Sequence, residues 1–172
     1  MIKILFVCHG NICRSPMAEF VMKKMVRELP SAISASTTLT AADFEIASAA
    51  TSTEEIGNPV YPPARRMLAS HGIDCHGKTA RQMTTADYNH YDYIVLMDQN
   101  NLRNLRWILP RDIYERETGA ATDSTTPRKV SLLMDWAGKN RDVADPWYTG
   151  DFEATWRDVL EGCEALLSQL MS

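Results

Sequence analysis

Apolar residues run almost unbroken over residues 2–7, interrupted only by Lys3, the pattern of a strand covered on both faces of a parallel sheet. From residue 17 to 29 the period changes. Ala18, Val21, Met22, Met25 and Leu29 return every three or four positions, with Lys23, Lys24 and Arg27 on other faces, which predicts a helix packed on that sheet. Ser15 suits its N-cap and Pro16 its first turn. Residues 30–42, rich in Ser, Thr and Ala, read as a surface loop with room for a short helical turn.

The same reading continues along the chain. Residues 44–49 alternate weakly as a second strand. The prolines at 59, 62 and 63 make a rigid turn before a helix over 64–70, with Met67 and Leu68 inward and Gly72 as its stop. Thr84 or Thr85 caps a short helix ending near Asn89, residues 93–97 form a third, buried strand, and Asp98 caps a helix over 101–109 closed by Pro110. Residues 111–128 turn polar and read as an exposed connection. A fourth strand follows at 130–134. Phe152, Trp156, Val159, Leu160, Cys163, Leu167 and Leu170 define a terminal amphipathic helix. Strands separated by helices imply right-handed crossovers and an α/β fold, a single-domain open four-stranded parallel sheet flanked by helices.

With 172 residues, 45% of them hydrophobic, the chain suits one domain with a substantial core. A net charge of −4 argues against a general nucleic-acid binder. No apolar run reaches membrane-spanning length and the first strand lacks a signal-peptide pattern, so no membrane insertion and a cytoplasmic location are expected. Four cysteines in a chain this long do not form a disulfide framework. Cys75 and Cys163 read as packing residues.

Between the first strand and helix lies Cys8-His9-Gly10-Asn11-Ile12-Cys13-Arg14-Ser15-Pro16. A strand, a tight loop and a helix start leave backbone N–H groups for an anion. A cysteine attacks only as thiolate, and the helix start, the loop N–H groups and the Ser15 hydroxyl are the donors available to the Cys8 sulfur. Arg14 supplies a planar fork that matches two non-bridging phosphate oxygens. Gly10 permits close backbone approach, and Asn11 can brace the loop from a left-handed conformation. Cys8 and Cys13 lack a second ligand pair at metal-binding spacing, so no metal is expected.

This stretch resembles the phosphate loop of the low-molecular-weight protein tyrosine phosphatases. Asp145-Pro146-Trp147-Tyr148 resembles that family's general-acid motif, and residues 91–98 its central strand. His71-Gly72-Ile73 and Ala80-Arg81-Gln82 match in kind and order. The resemblance implies a flavodoxin-like strand order 2-1-3-4, with Cys8 as nucleophile, Arg14 as phosphate clamp and Asp145 as general acid and base. His9, Gly10, Asn11, Ile12, Cys13, Arg14 and Ser15 form the phosphate-binding loop. It further implies His71 as a brace of that loop, Cys13 as a redox partner of Cys8, and Trp147 and Tyr148 at the pocket rim, where tyrosines of the family's motif can be phosphorylation targets. Glu54 stands where the family usually has a rim aromatic, a departure that disfavours acidic peptides near the pocket.

The implied substrate is a tyrosine-phosphorylated protein, handled by a monomer without metal or organic cofactor. Two enzymes on similar scaffolds are the alternatives. Arsenate reductases use further redox cysteines, for which Cys75 is the candidate here, without a closely spaced resolving pair. Protein arginine phosphatases tend to carry threonine where Ile12 stands, and Ile12 favours phosphotyrosine. A non-catalytic phosphate-binding module fits poorly with Cys8, Arg14 and Asp145 together.

Overall fold

The computed structural model describes residues 1–29, 39–119 and 126–172. Strand β1 (Ile2–Cys8) lies between β2 (Phe44–Ala50) and β3 (Tyr93–Leu96), and β4 (Val130–Leu132) completes the sheet beyond β3. All pairings are parallel and the order is β2-β1-β3-β4, as the resemblance implied. The chain leaves β1 first towards one neighbour and later towards the other. A crevice therefore opens at the carboxyl end of β1, where open α/β sheets bind ligands.

Side chains alternate across β1 with the period of two expected of a strand. Ile4, Phe6 and Cys8 enter one apolar cluster, whereas Leu5 and Val7 enter the other. The first cluster is covered by α1 (Arg14–Arg27), α2 (Pro62–Ser70) and the terminal α8 (Phe152–Met171). The second lies on the opposite face, with α3 (Thr85–His90) and α4 (Gln99–Asn104). Short helices α6 (Leu133–Trp136) and α7 (Pro146–Thr149) flank the segment that carries Asp145. Gly162 of α8 sits directly on Leu133: a Cβ there would fall 2.4 Å from Leu133 Cγ, so the two helices meet at a glycine.

Several boundaries differ from the sequence reading; the helix expected over 101–109 is α4, Gln99–Asn104, followed by a 3₁₀ turn at Leu105–Trp107. The polar stretch after Pro110 is not all connection, because Arg111–Thr118 forms helix α5, whose buried Glu117 accepts bonds from Tyr88 Oη and from the Lys129 and Val130 backbones. Its polar composition hid a helix whose inward contact is a carboxylate. The fourth strand stops at Leu132, where α6 begins. Helix α1 begins at Arg14 with Cys13 in the N-cap position and no side-chain cap, since the Ser15 hydroxyl is engaged elsewhere. Of the loop over 30–42, a 3₁₀ turn at Ala41–Asp43 is described; residues 30–38 lie outside the described residues.

Candidate active site

The loop from Cys8 to Arg14 is held from outside by its carbonyls. Cys8 O accepts from Thr51 N at 2.9 Å, His9 O from Ser52 N at 3.0 Å and Ser52 Oγ at 2.8 Å, and Ile12 O from Tyr61 N at 2.9 Å. Asn11 adopts φ 59°, the left-handed backbone its side chain tolerates, and its N–H points at Cys8 Sγ, 3.3 Å away. Ser15 Oγ lies 3.0 Å from the same sulfur. Gly10 needs no unusual φ. It leaves space beside Glu55, whose Cγ would lie 3.4 Å from an added Cβ.

Behind the loop runs a buried polar chain. Asn11 Nδ2 donates to Ser15 Oγ at 2.8 Å and to Ser48 Oγ at 2.9 Å, and its Oδ1 accepts from Arg81 N at 3.2 Å. Ser48 Oγ donates to Glu19 Oε1 at 2.6 Å. Lys78 Nζ donates to Ser48 O at 2.9 Å and lies 3.4 Å from Glu19 Oε1, while Lys23 Nζ takes the other oxygen at 2.6 Å. Burial pushes the Lys78 ammonium pKa below the ordinary range, against the pull of Glu19.

This chain corrects the role expected of His71. That ring stacks on Trp156 of α8 with centroids 3.9 Å apart, and its carbonyl accepts from Lys24; it makes no bond to the loop. The bracing falls to Glu19, Ser48 and Lys78, none of which the sequence reading selected. Glu19 carried a usable signal, because it falls one turn before Met22 on the buried face of α1, where a carboxylate requires polar partners.

Arg14 is 2% exposed, and both terminal nitrogens of its fork are engaged. Nη1 donates to Asp98 Oδ2 at 2.6 Å and to Val143 O at 2.9 Å, and Nη2 to Asp145 Oδ2 at 3.2 Å. Burial alone would lower the guanidinium pKa. Cys8, Asp98 and Asp145 together outweigh it and raise the pKa. Asp98 was read only as the α4 cap. It caps through Oδ1, to Asn101 N at 2.7 Å, and orients Arg14 through Oδ2.

Asp145 caps α7, its Oδ1 accepting from Trp147 N at 3.0 Å. Its segment is tied to the sheet by Val143 N bonding Met97 O at 2.9 Å. Trp147 packs on Tyr61, ring centroids 4.9 Å apart, whereas Tyr148 is 82% exposed. A cavity of about 110 Å³ is lined by Cys8, His9, Gly10, Ile12, Cys13 and Arg14 on the loop side, and by Glu54, Glu55, Asp145, Trp147 and Tyr148 around it. His9 Nε2 lies 3.0 Å from Glu54 Oε2, so the two rim residues are joined. Cys8 and Cys13 are both free thiols, and burial, then the neighbouring Cys8, push the Cys13 pKa far up.

A thiol and a guanidinium on one anion-cradling loop, at the switch point of a parallel sheet and facing a carboxylate, define the class of cysteine-dependent phosphatases. A model of the low molecular weight phosphotyrosine protein phosphatase family matches residues 3–172, and the chain belongs to that family. The low molecular weight protein-tyrosine-phosphatase YfkJ of Bacillus subtilis is 34% identical over 99% of this chain and 96% of its own. Its crystal structure superposes with a TM-score of 0.79, covering 99% and 94%. A low molecular weight protein tyrosine phosphatase from Streptococcus pyogenes is 39% identical with a TM-score of 0.73, covering 100% of this chain and 95% of its own. The Drosophila arginine phosphatase DARP is 28% identical with a TM-score of 0.76, covering 99% of each.

Proposed function

We propose that this protein hydrolyses phosphotyrosine on proteins through a cysteinyl-phosphate intermediate, with Cys8, Arg14 and Asp145 as the catalytic residues. The observation that carries the reading is the convergence of the Cys8 sulfur, the Arg14 fork and the Asp145 carboxylate on one cavity.

In the first step the Cys8 thiolate attacks phosphorus and the P–O bond to the tyrosine oxygen breaks, while protonated Asp145 gives its proton to that oxygen. Arg14 takes two equatorial oxygens, exchanging its contact with Asp145 for one with phosphate, and loop N–H groups take the remaining charge. In the second step Asp145, now a carboxylate, accepts a proton from water as that water attacks the phosphoenzyme. Inorganic phosphate leaves and Cys8 is regenerated as thiolate. These steps require neither metal nor organic cofactor.

The finer points of the reading are a monomeric enzyme working in a reducing compartment such as the cytoplasm, with Cys13 resolving an oxidised Cys8. The described residues include no helix long and apolar enough to cross a membrane.

The test is one panel of substrates: an aryl phosphate, a phosphotyrosine peptide, phosphoarginine and arsenate. With wild type, the first two are expected to turn over, Cys8→Ser to abolish turnover, and Asp145→Ala to reduce it most for the poorest leaving groups. Undiminished turnover in Cys8→Ser would end the covalent mechanism. Preference for phosphoarginine or arsenate would move the protein to another branch of the scaffold.

A further inference from the structure

The charge of the site is distributed unevenly with depth. Arg14 is the cation of the cavity lining, and it is buried and already faced by Asp98 and Asp145. The side chains nearer the surface are acidic or aromatic: Glu54, Glu55, Trp147 and Tyr148. Glu54 has a side chain 67% exposed, and Glu55 is half-buried, with Oε2 held by Asn58 at 2.6 Å.

A second groove, about 410 Å³, shares His9, Arg14, Asp145 and Tyr148 with the cavity and continues the surface past it. Asp142 is the exposed carboxylate of its wall; Asn100, Asn101 and Asn104 of the α4 segment add amides, and neither lysine nor another arginine lines it. Asn101 is 1% exposed, its Oδ1 accepting from the Met97 and Asp98 backbones, and its Nδ2 is a buried donor without a hydrogen-bond partner among the described residues.

We propose that these two adjoining surfaces form an acidic mouth that selects phosphotyrosine sites flanked by lysine or arginine. The inference rests on the phosphatase reading above and names its substrate class. The phosphate is recognised at depth by Arg14 and the loop. A flanking cation meets Glu54 and Glu55 at the cavity wall or Asp142 in the groove, and the exposed faces of Trp147 and Tyr148 offer it a cation–π surface. A flanking glutamate meets like charge on both surfaces, where no lysine and no arginine besides Arg14 is in the lining and the rim imidazole of His9 is already engaged by Glu54. Glu54 in place of an aromatic rim residue thus exchanges ring stacking for charge selection.

Matched phosphotyrosine peptides with Lys, Gln or Glu on both flanks test this, with a neutral aryl phosphate as reference. The expected ratio of kcat/KM for Lys over Glu flanks is about tenfold or more at low salt, shrinking at high salt. Glu54→Gln with Asp142→Asn should bring the ratio near unity, and Glu54→Lys should push it towards the acidic peptide. A wild-type ratio at or below one, or a ratio that survives the paired substitutions, overturns the proposal. If the aryl phosphate turns over while the peptide ratio is flat, only this inference falls. If Cys8-dependent aryl phosphate turnover is itself missing, the phosphatase reading falls and takes this one with it.

Discussion

Arg14 Nη2 and Asp145 Oδ2 lie 3.2 Å apart, so the group proposed to clamp phosphate is held by the group proposed to act as the acid. A phosphate entering the loop must take that contact over. Asp145→Ala removes both a competitor for the fork and a negative charge beside the anion. The variant should therefore bind inorganic phosphate or tungstate at least as tightly as wild type while losing turnover. Competitive inhibition constants, measured beside kcat, check this. Weaker oxyanion binding in the variant would show that Asp145 orients the fork rather than competing for it.

The polar chain behind the loop gives a stability cycle. Glu19→Gln leaves Lys78 half-paired in a mostly buried position, and should cost about 3 kcal/mol, the size found when one partner of a buried pair is removed. Lys78→Met added to it should recover part of that loss. Urea unfolding of the two single variants and the double variant measures the coupling. An additive result would mean that Glu19 and Lys78 act independently.

Gly162→Ala brings a methyl group against the side chain of Leu133, which is fully buried and has to repack to make room. Overpacking there should cost about 1–3 kcal/mol and lower the melting temperature. Thermal unfolding decides it; a variant as stable as wild type would require α6 and α8 to separate without penalty.

Asp87 provides a pH signature. Burial by itself would raise its pKa, but the Arg81 fork, at 2.8 and 3.2 Å, and the Thr84 backbone N–H hold it below the usual carboxylate range. Because the folded pKa is the lower one, its contribution is complete above the unfolded carboxylate pKa and is lost as pH falls through the folded value. Asp87→Asn should cost about 1 kcal/mol at neutral pH, from the weakened cap and ion pair, and the gap to wild type should close in acid. Urea midpoints across that range give the comparison.

Cys13 gives a redox prediction with a definite sign. Peroxide-inactivated enzyme should regain activity with a thiol reductant, and Cys13→Ser should lose much of that recovery. Burial, with the adjacent Cys8, holds the Cys13 thiol in its neutral form, so its attack on an oxidised Cys8 should accelerate as pH rises. Equal recovery in the serine variant counts against the pairing.

Hydrophobic periodicity placed the four strands and the long helices, because each buries a continuous apolar stripe. It failed at α5, where the buried partner is Glu117. The resemblance, not periodicity, suggested His71 as the loop brace, but its ring is taken by Trp156. Cys8, Arg14 and Asp145 stood out through local motifs. Glu19, Ser48, Asp98 and Lys78 did not, since each acts through a partner distant in sequence, and only the sheet order brings those partners together.

The fork of Arg14 reaches Asp98 and Asp145, 84 and 131 positions further along the chain. Such a site cannot exist in a fragment or in a partly assembled sheet. Local helices can form early in refolding, but the long loops behind these contacts must close first. Recovery of activity should therefore trail recovery of helical signal, which makes turnover itself a reporter of the last step of assembly.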